Sequence, residues 1–175
     1  MTMTISFSVP DEYPMIVLAC VAVCFQCYFV AMAVVVPARK KLFNNQFMKD
    51  NFAKEHANAF PGQRAPLMGF PDIGAGRFSD ALSYKDWFNF NNTMRAHMNI
   101  FEQLHVIIPF ILVGGLFLPR FVLYAAWLGV VSRAFYVIGY IMKGPDARVF
   151  GAVLNLFPLY GIAIFSLYQL AKNTI

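Results

Sequence analysis

The stretch that decides the fold is Asn92-Thr93-Met94-Arg95-Ala96-His97-Met98-Asn99-Ile100-Phe101-Glu102, which runs directly into the apolar segment Val106–Leu118. Arg95, Asn99 and Glu102 stand at i, i+4 and i+7, so on a helix they share one face. Ionisable groups at the edge of a membrane segment are costly unless they face protein, water or a ligand. The stretch therefore predicts a membrane helix with a polar site at one end.

The composition indicates lipid as the main solvent of this chain. Hydrophobic residues make up 59% of the 175 residues and charged residues only 13%, whereas soluble domains carry about 25% charged residues. The net charge of +5 lies mostly between the apolar segments, so we interpret it as a topology signal rather than a nucleic-acid surface. We expect one integral membrane domain over residues 1–175 and no nucleic-acid partner.

Four apolar segments predict an all-α protein, a four-helix transmembrane bundle. The first segment, Pro14–Val36, has 23 residues and no charge, which is enough to cross about 30 Å of hydrocarbon. Ser83-x-x-Asp86 predicts the start of the second helix, and Pro109 lies inside that helix, as lipid-embedded helices tolerate. The expected spans are residues 14–37, 87–118, 121–142 and 148–171.

A long connection, residues 42–86, separates the first two spans. We expect most of it to be irregular, because it is rich in proline and glycine: Pro61-Gly62, Pro66, Gly69, Pro71, Gly74 and Gly76. A short surface helix is predicted over Gln46–Ala59. A connection of this length is usually functional, a docking surface or disordered.

The basic residues predict the orientation of the bundle. Eight Lys or Arg residues lie between the first two spans, and Lys143 and Arg148 add two in the third connection, whereas the opposite side has Arg120 and Lys172. This bias places the first and third connections in the cytosol, or in the matrix if the membrane is the mitochondrial inner membrane. We expect a multi-pass protein of the endoplasmic reticulum or of a mitochondrial membrane.

In this topology polar residues from all four helices meet at the basic end of the bundle. Arg133, Tyr136 and Tyr140 share a face of the third span at i, i+3 and i+7. A membrane arginine must be paired or hydrated, and Glu102 is a candidate partner for Arg133 at similar depth. Two interpretations stay open: Arg95, Arg133 and Glu102 form a structural ion-pair set, or they line a positive pocket where an anionic, water-soluble ligand meets an apolar one.

Other polar groups of the spans favour structural roles. Helical spacing turns His97 away from the Arg95 face by about 160°, so geometry alone predicts an interior histidine. Cys20, Cys24 and Cys27 share a face of the first span without a nearby histidine. We expect reduced, packed thiols and no metal site.

The segment from Arg95 to Glu102 resembles the R-A-H-x-N-x-x-E signature of the MAPEG superfamily, the membrane-associated proteins in eicosanoid and glutathione metabolism. Within it the residues are most similar to the microsomal glutathione S-transferase type 3 branch. Three further stretches resemble the family: Ala38-Arg39-Lys40-Lys41, Gly114-Gly115 with Pro119-Arg120, and Ser132 to Tyr140 followed by Pro145 and Arg148.

The resemblance implies a homotrimer of four-helix subunits with glutathione, the co-substrate, bound between adjacent subunits near the cytosolic face. The glutathione contacts implied by position are Arg39, Arg95, His97, Asn99, Glu102, Tyr136 and Tyr140, and we add Arg133 as a pocket residue. The activating arginine of leukotriene-forming relatives aligns with Ala147, so Arg148 and Lys40 become the candidate catalytic residues. Gln103 stands where a glutathione-using relative has tyrosine.

The implied reaction is attack of the glutathione thiolate on a lipophilic electrophile, or reduction of a lipid hydroperoxide, in contact with membrane lipid. A second hypothesis is a non-catalytic accessory subunit that docks into a larger membrane complex, for example a mitochondrial one, through residues 42–86. An ion-conducting subunit is disfavoured, because the polar groups cluster at one end and form no path across the bilayer.

Overall fold

The computed structural model describes residues 8–174, which fold as helices, turns and connecting segments without a β-strand in that range. Five helices of more than one or two turns follow in order: α1 (Tyr13–Leu42), α2 (Asn45–Ala59), α3 (Tyr84–Phe117), α4 (Pro119–Lys143) and α5 (Val149–Thr174). Four of them, all except α2, are long and apolar enough to cross a membrane. The predicted all-α architecture with four transmembrane helices is confirmed.

Local chemistry sets the start of α3. The Ser83 hydroxyl accepts a hydrogen bond from the Asp86 backbone N–H at 3.2 Å and donates one to the Asp86 carboxylate at 2.8 Å. This reciprocal cap is the arrangement predicted from the sequence, although the helix begins about one turn earlier than expected. Pro109 lies inside α3, as predicted, and Pro119 begins α4 directly after Leu118 ends α3.

The membrane core is an apolar seam in which α1, α3, α4 and α5 meet. Its buried members include Ile16, Ala19, Ile107, Ile111, Val122, Ala126 and Ile162. Large apolar side chains on the outer faces, such as Phe25, Tyr124 and Phe157, are exposed in the isolated subunit. Lipid solvates such a face, so the exposure agrees with a membrane-embedded bundle.

Helices α4 and α5 approach most tightly where Gly151 faces Ser132 and Tyr136. A Cβ atom at Gly151 would lie 2.5 Å from the Tyr136 backbone nitrogen and 2.6 Å from the Ser132 carbonyl oxygen. Because backbone atoms cannot move aside as a side chain can, the contact requires glycine. It fixes the first turn of α5 against the part of α4 that carries Tyr136.

The connection between α1 and α3 is folded, and we call residues 43–83 the cap. It comprises α2, two short 3₁₀ turns (Leu67–Gly69 and Ser79–Ala81) and irregular segments. The predicted surface helix is thus present as α2. The cap packs on the end of α1 and the first turns of α3 through a buried cluster that includes Val35, Phe43, Met48, Phe52, Phe90 and Met94.

Candidate functional site

A row of polar side chains joins α3, α4 and the turn before α5. The Asn99 side-chain amide donates a hydrogen bond to the Tyr136 hydroxyl at 2.5 Å. The rings of Tyr136 and Tyr140 pack edge to face with centroids 5.7 Å apart, and Arg148 Nη1 donates to the Tyr140 hydroxyl at 3.1 Å. We call Asn99, Tyr136, Tyr140 and Arg148 the polar row.

The turn before α5 explains how Arg148 enters this row. Gly144 has φ +87°, which reverses the chain after α4, and Pro145–Arg148 then forms a 3₁₀ turn. The Ala147 carbonyl packs so closely on α4 that a Cβ atom at Gly139 would lie 2.6 Å from it. Ala147 therefore packs against α4, and the neighbouring Arg148 carries the cation to Tyr140.

Arg133 lies next to the polar row and is buried, with 4% of its surface exposed. Its Nη2 donates to Gln103 Oε1 at 2.6 Å. The predicted pairing of Arg133 with Glu102 is wrong, because Glu102 is exposed and the next residue faces α4 instead. Neighbouring residues on a helix differ by about 100° in direction, so Gln103 and Glu102 cannot both face α4.

Arg39 does not join the polar row but turns into the cap. It is 3% exposed, and its guanidinium donates to the carbonyl oxygens of Met68 at 3.2 Å, Gly69 at 3.5 Å and Asp72. The Phe70 ring covers it, with the ring centroid 4.4 Å from Cζ. This predicted glutathione contact is thus engaged by the cap within its own subunit.

Asp72 shapes the segment of the cap that holds Arg39. Its carboxylate accepts hydrogen bonds from the backbone N–H groups of Gly74 (2.7 Å), Gly76 (3.2 Å) and Ser79 (2.7 Å), and from the Ser79 hydroxyl (2.8 Å). Burial by itself would raise the pKa of Asp72, but these hydrogen bonds outweigh it and hold that pKa below its usual value. The ionised form is therefore the one that folds the segment.

The remaining predicted residues lie away from the polar row. His97 is half-buried, with Nε2 3.8 Å from the Cys27 sulfur, as its spacing predicts for an interior histidine. Lys40, Arg95 and Glu102 are exposed on the surface of the subunit. The structure therefore brings together Asn99, Tyr136, Tyr140 and Arg148, with Arg133 beside them, and leaves the other predicted contacts outside this group.

The basic end of the bundle carries cations without counter-charges. Within residues 8–174 the ion pairs closer than 4.0 Å are Arg77–Glu55 and Arg120–Glu12, and neither is in the polar row. Arg133 and Arg148 thus have no carboxylate partner in the described part of the subunit. An excess of positive charge beside hydroxyl and amide groups suits an anionic ligand.

Two residues that matter here were not among the predicted site residues. Asn155 of α5 lines a cavity beside Arg133, and its signal was an amide in an otherwise apolar span. Asp72 organises the cap around Arg39. An aspartate in a glycine-rich loop favours local turns but does not name its distant partners.

Comparison with known proteins agrees with this arrangement. The chain matches the profile of the MAPEG family over residues 16–168, which covers nearly all of the four membrane helices, the whole cap and the polar row. No solved structure matches the chain. With its four membrane-crossing helices the chain is an integral, multi-pass membrane protein that belongs to the MAPEG family.

Proposed function

We propose that the protein is a membrane-bound glutathione transferase or peroxidase, which joins glutathione to lipophilic electrophiles or reduces lipid hydroperoxides. The MAPEG family includes glutathione transferases and related enzymes. The observation that carries the proposal is the placement of Arg148, a cation without a carboxylate partner in the described subunit, against Tyr140 and in line with Tyr136 and Asn99.

Glutathione is an anion with two carboxylates, one ammonium group and a thiol, and the residues divide among these groups. Asn99, Tyr136 and Tyr140 offer hydrogen bonds in the polar row, with Arg133 behind them. Lys40, Arg95 and Glu102 lie at the surface, so they would reach glutathione only from a neighbouring subunit, as a site between subunits of a homotrimer requires. There Arg95 suits a carboxylate and Glu102 the ammonium group.

Arg148 is the residue that we assign to thiol activation. An unaided thiol has a pKa of about 8.5 and is mostly protonated at pH 7, whereas a nearby cation favours the reactive thiolate. Tyr140 fixes the guanidinium through one hydrogen bond and a ring contact. Lys40, exposed at the end of α1, is a second candidate cation if it approaches from the adjacent subunit.

The two reactions differ in the atom that the thiolate attacks. With an electrophile, a carbon–sulfur bond forms and the leaving group departs with its electron pair. With a lipid hydroperoxide, the sulfur attacks the distal oxygen, the O–O bond breaks, and the lipid leaves as an alcohol after it gains a proton. A second glutathione then converts the resulting sulfenic acid to the disulfide and water.

The finer identity follows from the resemblance and stays part of the proposal. The expected relatives are microsomal glutathione S-transferases of type 3, the expected assembly is a homotrimer, and the expected membrane is the endoplasmic reticulum or a mitochondrial membrane. His97, which contacts Cys27 rather than the polar row, would act on glutathione only indirectly in this subunit.

One structural feature favours the accessory-subunit alternative. The cap engages Arg39 and presents apolar side chains at its surface, namely Phe60, Leu67, Phe70 and Ile73. A folded cap with such a rim suits attachment to a partner protein. In that case the polar row would hold lipid or no ligand.

Activity of the purified full-length protein in lipid nanodiscs tests the proposal. We expect conjugation of glutathione to a chloronitrobenzene, or oxidation of glutathione by a fatty-acid hydroperoxide, above the rate of empty nanodiscs. A lack of both activities at millimolar glutathione would contradict the enzyme. Co-purification with a large assembly that is lost when Leu67→Ser and Phe70→Ser are combined would establish the accessory role.

A further inference from the structure

Arg133 is a buried cation whose charge is not balanced within the described part of the subunit. A guanidinium has five N–H donors, but Gln103 is the one hydrogen-bond partner of Arg133 among residues 8–174. No carboxylate in that range lies within 4.0 Å of it. Burial of an uncompensated charge is strongly destabilising. An additional acceptor is therefore expected at this position.

A cavity beside the guanidinium provides room for such an acceptor. Its volume is about 70 Å³, which exceeds the ~10–15 Å³ that one water molecule needs. Besides Arg133, its polar lining consists of Asn99, Gln103, Tyr136 and Asn155. The lining contains a cation and several amide donors but no carboxylate, so it favours an anion over a cation.

The shape of the cavity limits which part of a ligand can enter. Ala152 and Leu156 form its α5 side, and Leu156 is 40% exposed on the face that lipid would cover. A narrower apolar seam shares Arg133 and Asn155 with the cavity, but its volume is only about 10 Å³. A small polar group therefore fits beside Arg133, whereas an acyl chain must stay on the outer surface of α5.

We propose that the Arg133 cavity binds a carboxylate group. The planar guanidinium can hold both carboxylate oxygens, and the amides of Asn99 and Asn155 add donors. Two molecules can present this group: a fatty acid dissolved in the membrane, which enters from the lipid side past Leu156, or glutathione bound at the adjacent polar row. The glutathione source rests on the proposed function, whereas the fatty-acid source does not.

Equilibrium binding to the full-length protein in phosphatidylcholine nanodiscs tests this assignment and separates the two sources. Radiolabelled oleate and radiolabelled glutathione are titrated separately, with oleate methyl ester as the uncharged analogue of oleate. Each ligand is measured on the wild type, Arg133→Gln, Arg133→Lys and Arg120→Gln. Arg120 is the matched control, because it is an exposed arginine on the same helix.

We expect Arg133→Gln to raise the Kd of the bound carboxylate at least about tenfold, since a hydrogen bond between two charged groups is lost. Arg133→Lys should weaken binding less, and Arg120→Gln should leave the Kd within about twofold. A selective loss of oleate binding, with the methyl ester weak on the wild type, identifies the lipid source. A selective loss of glutathione binding identifies glutathione.

The proposal is overturned if neither ligand binds the wild type, or if Arg133→Gln binds both ligands as the wild type does. It is also overturned if oleate methyl ester binds as tightly as oleate while glutathione binding does not depend on Arg133. Should Arg133→Gln not fold, Asn155→Leu keeps the charge and removes a donor. That variant should weaken the same ligand at least about threefold, and an unchanged Kd would overturn the assignment.

Discussion

The guanidinium of Arg148 lies over the ring of Tyr140, with Cζ 5.2 Å from the ring centroid, and donates a hydrogen bond to the Tyr140 hydroxyl at 3.1 Å. This contact fixes a cation at one end of the polar row, although alanine occupies the preceding position, where the activating arginine of leukotriene-forming relatives is expected. The 3₁₀ turn Pro145–Arg148 makes the shift by one residue structurally feasible, because it packs Ala147 on Gly139.

Arg148→Gln should lower turnover more than glutathione affinity. Without the cation, less of the bound glutathione is thiolate at pH 7, so we expect kcat to fall at least about tenfold while the glutathione Kd changes less than about threefold. The defect should shrink as the pH rises towards about 8.5, the ordinary pKa of a thiol. Conjugation rates at saturating glutathione between pH 6 and 9 measure both effects.

Lys143→Gln is the control for this experiment, since Lys143 is an exposed cation at the end of the same helix. Its kcat and its pH profile should match those of the wild type. Wild-type turnover in Arg148→Gln, or an equal defect at every pH, would remove Arg148 from thiol activation.

Tyr136→Phe should weaken glutathione binding. The substitution removes the hydroxyl that accepts the hydrogen bond from Asn99 and leaves that amide without its partner. Loss of one such hydrogen bond typically changes affinity by about 1 kcal/mol, or roughly fivefold in Kd. Calorimetric titration of glutathione provides the measurement, with Tyr160→Phe, an exposed tyrosine of α5, as the control. Equal Kd values in the two variants would place glutathione elsewhere.

Arg39→Gln should loosen the cap without abolishing glutathione binding. The carbonyls of Met68, Gly69 and Asp72 would lose their shared donor, and each unsatisfied buried group costs about 1–3 kcal/mol. Hydrogen exchange of residues 60–83 should accelerate at least about tenfold, whereas Lys41→Gln, an exposed cation nearby, should leave it unchanged. Normal cap exchange together with lost glutathione binding would instead establish Arg39 as a ligand contact.

The stability of the cap should depend on acid through Asp72. Its pKa is lower in the folded protein than in the unfolded chain, where it is about 3.9. The ionised carboxylate therefore stabilises the cap at pH values above about 4, and this contribution is lost as the pH falls through the folded pKa. Exchange of residues 60–83, corrected for intrinsic rates, should be constant from neutral pH to about pH 5 and rise in stronger acid. Asp72→Asn should be less protected at neutral pH and lack this acid-dependent loss.

Gly151→Ala should destabilise the bundle. The added methyl would meet the backbone of Ser132 and Tyr136 at 2.5–2.6 Å, and overpacking of this kind costs about 1–3 kcal/mol. Gly129→Ala is the matched control, because the nearest atom to its Cβ would be the Asn155 side-chain oxygen at 3.5 Å, an ordinary contact. Thermal unfolding in detergent should show a lower Tm for Gly151→Ala and a nearly unchanged one for Gly129→Ala. Equal midpoints would contradict the close helix contact.

The fold was predictable where its causes are local in sequence. A charge-free run of 23 residues fixes the first span, and the Ser83 cap fixes the start of α3. The interior placement of His97 followed from helical spacing alone. Each of these signals depends on residue type and on neighbours within a few turns.

The role of Arg39 was not predictable in this way. Its partners are backbone carbonyls 29 to 33 residues away, and a carbonyl is the same in every residue type. The choice of Gln103 over Glu102 as the partner of Arg133 depends on the rotation of α3 relative to α4. That rotation is set by packing such as the Gly151 contact, which no single segment encodes.

Titration of the purified protein with glutathione, followed by the ultraviolet absorbance of the thiolate, tests the central claim most directly. The account predicts saturable binding at millimolar glutathione or below. It also predicts a thiolate signal at neutral pH that the wild type shows and Arg148→Gln largely loses. Absence of binding at millimolar glutathione, or a thiolate signal of equal size in both proteins, would contradict it.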